Sequence, residues 1–223
     1  MTQISPHSVG RRTQAERRDE SGRSLLEAAI EVVADEGVSA ATFETVGRRA
    51  GYSRGLATQR FGSKQGLIEA VIQHLHERQE QALAEYRIDE LPGLEAVLAY
   101  VDLYLRGLGQ QSETRAYFML LSAQVADATE LRASFAAEHA RVERRLEGLV
   151  QKGQAEGAIR REIDADAAAL MIGSLLLGLS MQVLVDPETD VDPIRETSLS
   201  TLRLSFGTEG RPNGPPNGPK GQS

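Results

Sequence analysis

The sequence predicts an all-α fold, with a small N-terminal three-helix domain that contains a helix-turn-helix and a larger C-terminal helical domain. Two short helical segments meet at a glycine near the N-terminus. Apolar residues recur at i, i+3, i+4 and i+7, as in Leu26, Ala29, Ile30 and Val33. Aromatic residues make up only 4% of the 223 residues and tryptophan is absent, so the core consists mainly of aliphatic residues, which suits helices.

The segment from Thr42 to Lys64 contains the strongest local pattern. Phe43, Val46 and Ala50 share one helical face after Thr42, and Gly51 ends that helix, as glycine does where the chain needs a positive φ. Ser53 is in the right place to cap a second helix through its hydroxyl. That second helix contains basic residues and no acidic ones, which is what a helix entering the negatively charged major groove of DNA requires.

The charge distribution is uneven along the chain. Residues 1–64 contain 10 Lys+Arg and 8 Asp+Glu, a net charge of +2, whereas the whole chain carries −7. The remaining residues therefore carry −9. The basic N-terminal part of the chain could bind phosphate, and the acidic C-terminal part could face solvent or a partner. A charge difference of this size also arises by chance.

The segment from Leu25 to Ile72 resembles the DNA-binding domain of the TetR (tetracycline-repressor-like) regulators. The matching elements are Gly37, Thr42, Ala50-Gly51-Tyr52-Ser53, Arg54-Gly55, Phe61 and Ser63-Lys64. Thr58 stands where that family often has tyrosine, and Gly47 where it often has alanine. The resemblance implies a homodimer that binds a roughly palindromic operator on double-stranded DNA, represses nearby genes and releases the operator when a small-molecule effector binds the C-terminal part.

The candidate DNA-binding residues fall into two groups. Residues in the first two turns of the second helix should approach base edges: Arg54, Gly55, Leu56 and Gln59. Hydroxyl and cationic side chains should bind phosphates: Thr42, Ser53, Thr58, Arg60 and Lys64. Two alternatives stay open, because Thr42 and Ser53 could serve only as helix caps and Arg54 could bind phosphate instead of a base.

Four regions are expected along the chain: a disordered arm over 1–20, the helix-turn-helix domain over 21–68, the ligand-binding and dimerisation domain over 69–206, and a disordered tail over 207–223. Arginines in the arm could reach a minor groove or could belong to a solvated tail. The expected helices begin at Ser21 and at Thr42, Ser53 and Ser63, and the others lie near 94–108, 114–126, 129–153, 167–185 and 193–206.

The stretch from Ala167 to Val185 has nineteen residues without a charge, so a membrane span must be considered. Ser174, Ser180 and Gln182 lie inside it and acidic residues flank it, which argues against a span. We predict instead a helix buried between its own core and a second subunit, and no membrane partner. The expected dimer interface contains Leu176, Met181, Leu199 and Leu202.

An apolar effector pocket is expected from aromatic and methionine residues, although such residues also form plain core: Tyr100, Tyr104, Tyr117, Phe118 and Met119. His139 is expected to be a hydrogen-bonded core residue. His74 and His76 are two positions apart and diverge on a helix, so we predict no metal site and no cofactor.

The sequence contains no recognisable catalytic motif, so we predict that the protein is not an enzyme. The alternative is a helical small-molecule-binding protein or enzyme that does not read DNA. The chain has no cysteine, which is compatible with a reducing compartment, and its first twelve residues lack the apolar run of a signal peptide. These features predict a cytoplasmic protein.

Overall fold

The computed structural model describes residues 13–108, 112–127 and 132–208. Within these ranges the secondary structure is helical apart from one isolated bridge between Ile159 and Gly207, which confirms the predicted all-α fold. Two 3₁₀ turns, Val38–Ala40 and Ile88–Glu90, accompany the α-helices. The helices are α1 Gln14–Glu36, α2 Phe43–Ala50, α3 Arg54–Phe61, α4 Lys64–Glu85, α5 Gly93–Gly107, α6 Ser112–Asp127, α7 Arg132–Ala155, α8 Ala165–Val185 and α9 Val191–Phe206.

Helix α1 begins seven residues before the predicted start at Ser21. Thr13 caps it through a reciprocal pair of hydrogen bonds, in which Glu16 N donates to Thr13 Oγ1 (3.2 Å) and Thr13 N donates to Glu16 Oε2 (2.7 Å). This capping box satisfies two backbone donors that would otherwise lack partners. Residues 14–20 are therefore helical rather than part of a disordered arm, and the part of the predicted arm up to residue 12 lies outside the described residues.

Two compact units divide the chain, Met1–His74 and Leu75–Ser223, and their boundary falls inside α4. The domain boundary predicted between residues 68 and 69 lies in the same helix. Helix α4 ends at Glu85, and Arg87 follows with a left-handed φ of 52°. A left-handed residue cannot continue a right-handed helix, so the chain turns here into α5.

The first two residues of the predicted disordered tail, 207 and 208, have defined positions. Thr208 N donates to Ala158 O (3.2 Å) and Thr208 Oγ1 donates to Gly157 O (3.0 Å), so the chain is held against the end of α7 as far as residue 208. The rest of the predicted tail lies outside the described residues.

The core of the second unit lies between α5, α7, α8 and α9. Helix α5 starts at Gly93, where an added Cβ would lie only 2.1 Å from Gly153 N on α7. The backbones of α5 and α7 therefore approach to a distance that only glycine permits. The inner faces of α8 and α9 supply Ala169, Ile172, Leu176, Leu202 and Phe206 to this core.

Two of the four predicted interface residues are core residues of their own subunit. Leu176 and Leu202 are each 3% exposed, so they cannot form an outer contact surface. Met181 is exposed and Leu199 is half-buried, so both remain candidates. The surface apolar residues of α8 and α9 are instead Leu170, Met171, Met181, Val185 and Leu204.

Among the described residues, α8 is the one helix whose length and composition would allow it to cross a membrane. Only 28% of its most apolar window is buried within the chain. A core helix of a soluble protein meets the same criteria, so this is weak evidence for a span. The prediction that α8 packs against its own core on one side agrees with the burial of Ala169, Ile172 and Leu176.

Candidate nucleic-acid interface and internal cavity

Both helices of the predicted helix-turn-helix start at the expected cap. Thr42 Oγ1 accepts a hydrogen bond from Thr45 N (3.1 Å), and Ser53 Oγ accepts one from Leu56 N (3.2 Å). Gly51 has the left-handed conformation that the sequence predicted, with φ 76°. Thr42 and Ser53 thus both act as caps, which leaves a contact with phosphate as a second role for each.

Two further glycines fix the position of α3 between its neighbours. A Cβ on Gly47 would lie 3.0 Å from Tyr52 O, and a Cβ on Gly66 would lie 2.3 Å from Phe61 O. In both cases the neighbour is backbone and cannot rotate away. The turn before α3 therefore packs on α2, and the end of α3 packs on the first turn of α4.

Helix α3 has one inward and one outward face. Ala57 is fully buried and Leu56 is half-buried, whereas Arg54, Gly55 and Gln59 are exposed. Leu56 was predicted to approach base edges, but it is half-buried, so part of its surface is directed into the domain. The described α3 contains no acidic residue, so its outer face is polar and cationic.

Thr58 is exposed on α3, but its hydroxyl already donates a hydrogen bond within the helix. Thr58 Oγ1 donates to Arg54 O (3.0 Å) inside the helix. A hydroxyl that binds phosphate must donate a hydrogen bond, so this rotamer would have to change in a DNA complex. The hydroxyl oxygen can still accept a bond in the present rotamer.

The two cations predicted to bind phosphate already have contacts inside the domain. The Arg60 guanidinium lies over Gly22 of α1, where an added Cβ would be 2.8 Å from Nη2. Lys64 Nζ donates to Ser39 O (3.2 Å) in the turn before α2. Both side chains remain exposed, and an ammonium has three donors, so Lys64 can bind phosphate and Ser39 together.

Arg49 has a structural role that the sequence analysis missed. It joins α2 to α1 through Asp35 (3.1 Å), Glu36 (2.6 Å) and Glu31 (3.6 Å). The three acids lie on one face of α1, at positions i, i+4 and i+5. This spacing could have been used to predict a basic side chain packed against that face. Arg49 is therefore engaged within the domain rather than presented to a ligand.

A cavity of about 690 Å³ lies in the second unit, between the end of α4 and helices α5 to α8, and both buried and exposed residues line it. Its walls include four of the five residues predicted to line a pocket: Tyr100, Tyr104, Tyr117 and Phe118. Met119 is not among the lining residues. It is adjacent to Phe118 on α6, and successive side chains on a helix point about 100° apart.

Two tyrosines have phenol groups that are engaged within the protein. Tyr100 Oη accepts from Gln79 Nε2 (3.3 Å), and Tyr104 Oη lies 3.1 Å from Ser180 Oγ. Burial raises the pKa of Tyr100 to about 12 and also raises the pKa of Tyr104 and Tyr117 above the ordinary phenol value. All three phenols therefore stay neutral under physiological conditions and form an aromatic part of the cavity wall, which also contains charged side chains such as Arg78, Arg106 and Glu143.

Two histidines line the cavity, and the prediction for His139 is wrong. His139 was predicted to be in the core, but it is exposed at the cavity wall. His76 is the buried one, at 8% exposure, and it also lines the cavity. Its ring contacts Tyr117 edge to face, with centroids 5.4 Å apart. The sequence missed His76 because its partners come from α6 and α7.

Two protein-family models match the chain over most of its length. The model described as bacterial regulatory proteins of the TetR family matches residues 25–71, which contain α2, α3 and the start of α4. The model described as the C-terminal part of BetI-type transcriptional repressors matches residues 93–204. The second match alone covers half of the chain.

Curated relatives include regulators from Pseudomonas and Stenotrophomonas. The chain is 27% identical over 208 residues to the HTH-type transcriptional regulator TtgR of Pseudomonas putida, a match that covers 87% of this chain and 97% of that protein. It is 32% identical over 65 residues to the HTH-type transcriptional regulator BetI of Stenotrophomonas maltophilia, across 29% of this chain and 33% of that protein.

Solved structures share the fold at lower sequence identity. A TetR regulator from Chloroflexus aurantiacus has a TM-score of 0.74 and 18% identity, covering 86% of this chain and 98% of that chain. A regulator from Saccharomonospora viridis in complex with choline has a TM-score of 0.72 and 20% identity, covering 85% and 98%. Since the family models match both units, the chain belongs to the TetR family of DNA-binding transcriptional regulators.

Proposed function

We propose that this protein is a ligand-responsive repressor that binds a palindromic operator as a homodimer in the cytoplasm. The observation that carries the proposal is the outer face of α3, which is exposed, contains Arg54 and Gln59 and lacks acidic residues. Such a face can approach phosphates and base edges without electrostatic repulsion. The cavity in the second unit supports the effector part of the proposal.

A homodimer is supported by the exposed apolar residues of α8 and α9. Val185 is 79% exposed and Leu204 is 75% exposed, and Leu170 and Met171 are about half exposed. Apolar side chains at such exposure on two long helices are typical of an interaction surface. Two helices from each subunit would form a four-helix contact related by two-fold symmetry, which matches a palindromic operator.

An effector role for the cavity is supported by its size and by the aromatic part of its wall. A volume of about 690 Å³ lies in the usual range of small-molecule sites. The related fold of the Saccharomonospora viridis regulator holds choline, which supports the view that this fold can enclose an organic molecule.

The DNA-binding part is tested by selection from a pool of random duplexes, followed by sequencing of the retained DNA. We expect enrichment of two inverted half-sites whose centres are about one helical turn or a multiple of it apart. A helical enzyme or a sequestering protein would enrich no sequence. The selected operator then serves as the specific DNA in all the experiments below.

The effector part is tested by measuring the affinity of a bound compound with and without the operator. A ligand shifts DNA binding only by its different affinities for the two conformations, and the operator must weaken the ligand by the same factor. A factor of about 10⁴ would reverse a 99:1 population. Equal affinities in the two titrations would show that the compound is not an inducer.

Arg54→Ala is expected to weaken binding to the selected operator more than binding to random DNA. Arg54 is exposed at the first position of α3, and a bidentate contact with guanine contributes about 1–3 kcal/mol of discrimination. Fluorescence anisotropy with both duplexes measures the two affinities. Arg161→Ala is the control, because it removes the same charge from an exposed position in the other unit. Equal losses on both duplexes would assign Arg54 to phosphate.

Lys64→Ala is expected to flatten the salt dependence of operator binding. The slope of log K against log salt should fall by about 0.9 for each lost phosphate contact, and by about 1.8 for the two copies in a dimer. Lys64→Gln is the companion variant, because an amide can still donate to Ser39 O but carries no charge. If both variants keep the wild-type slope, Lys64 does not bind phosphate, and its role is the hydrogen bond to Ser39 O.

A further inference from the structure

His76 lines the cavity, and one of its ring nitrogens has no hydrogen-bond partner among the described residues. The side chain is 9% exposed, and this nitrogen, Nε2, is buried. The other ring nitrogen, Nδ1, lies 3.5 Å from Glu138 Oε2. A buried polar atom of this kind is uncommon in folded proteins and calls for a physical explanation.

We propose that His76 Nε2 accepts a hydrogen bond from the effector, and that the effectors are ring-containing compounds with an N–H or O–H donor. The inference depends on the proposed function only for the view that the cavity is the effector site. It adds the chemical class of the ligand and the residue that orients it.

Glu138 determines which nitrogen of His76 carries the proton. A carboxylate facing Nδ1 favours the tautomer with Nδ1–H, which leaves a lone pair on Nε2. Arg141 pairs with the same carboxylate (3.1 Å), so Glu138 is already balanced by a cation. The ring packs edge to face against Tyr117, and this contact helps to hold it at the cavity wall.

The imidazole is neutral under physiological conditions. Burial lowers the pKa of His76 below its ordinary value, and the nearby Glu138 offsets this only in part. The other charged or titratable groups around it are Arg141 and His139 on α7, which lower the pKa further, and Glu80 on α4, which raises it. Since Nε2 carries no proton, it can only accept a hydrogen bond, and a ligand must supply the donor.

The surrounding wall explains why the rest of the ligand should be apolar and contain a ring. Tyr100 is 1% exposed and Phe118 is 3% exposed, so the inner wall is aromatic. The phenols of Tyr100 and Tyr104 already bond to Gln79 and Ser180, which leaves His76 as an acceptor without a partner at the wall. Flat ligand rings stack well on aromatic side chains, and the hydrogen bond from the ligand's N–H or O–H group to His76 fixes the orientation of the ring.

The test uses 2-phenylindole and 1-methyl-2-phenylindole, which differ by replacement of the only N–H donor with N–CH₃. The chain has no tryptophan, so indole emission can be followed without protein indole background. We expect the wild-type protein to bind 2-phenylindole about tenfold more tightly, which corresponds to about 1.4 kcal/mol. His76→Phe should abolish this preference, and His74→Phe, which changes a histidine outside the cavity wall, should retain it.

Nitrogen NMR of the wild-type imidazole gives a second measurement that needs no variant. The Nε2 resonance of His76 should move on addition of 2-phenylindole and stay in place with the methylated compound. Equal affinities for the two compounds, absence of binding by both, a preference retained in His76→Phe, or an unmoved Nε2 resonance would each overturn the inference.

The two proposals fail in different ways. If the His76-dependent preference is present but 2-phenylindole leaves operator affinity unchanged, the ligand assignment stands and the effector role of the cavity is wrong. If another compound in the cavity releases the operator while the preference is absent, the repressor proposal stands and the role of His76 is wrong.

Discussion

Leu204→Glu is expected to produce folded monomers, whereas Leu176→Glu is expected to unfold the second unit. Leu204 is 75% exposed on α9, so a glutamate there stays in water in the monomer and changes its stability by only about 0.5 kcal/mol. In a dimer the same carboxylate would be buried without a partner. Leu176 is 3% exposed in the core, where an unpaired charge costs several kcal/mol.

Sedimentation and thermal unfolding distinguish these outcomes. The wild-type chain should sediment as a dimer at micromolar concentration, and Leu204→Glu as a monomer with unchanged helix content. Leu204→Gln provides the matched control, since it keeps the shape of the side chain without the charge and should weaken the dimer less. A monomeric wild-type chain, or a Leu204→Glu variant that sediments like the wild type, would contradict the dimer proposal.

The different exposure of Leu176 and Leu204 also shows why the sequence placed the buried Leu176 at the predicted interface. Helix α8 is apolar on all sides, so its hydrophobic pattern has no period that marks the face packed against α5 and α7. Only the tertiary packing distinguishes the buried Leu176 from the exposed Leu170. The predicted helix was therefore confirmed, but the orientation of its faces could not be inferred.

The helix-turn-helix was predictable because its signals are local. Thr42, Gly51 and Ser53 act through hydrogen bonds and backbone angles within three residues along the chain. The capping box of Thr13 and Glu16 is equally local and was readable from the sequence, but the prediction overlooked it. By contrast, His76 and Glu138 are 62 positions apart, and nothing in either segment indicates that they meet.

Gly66→Ala is expected to lower both the stability of the N-terminal unit and its affinity for the operator. An added Cβ would lie 2.3 Å from Phe61 O, at the junction between α3 and α4. The neighbour is a backbone carbonyl, so the clash can be relieved only by moving one of the two helices. Overpacking of this kind costs about 1–3 kcal/mol, more than the roughly 1 kcal/mol that alanine gains in helix propensity.

Gly148→Ala is the matched control, because it is the same substitution in a helix where nothing lies within 4 Å of the new methyl group. This variant should gain helix propensity, and its melting temperature should rise by about 2–4 °C per kcal/mol gained. We expect operator affinity to fall at least tenfold in Gly66→Ala and to stay unchanged in Gly148→Ala. If Gly66→Ala is as stable as the wild type and binds the operator equally well, the junction tolerates the methyl group, and the position of α3 does not depend on Gly66.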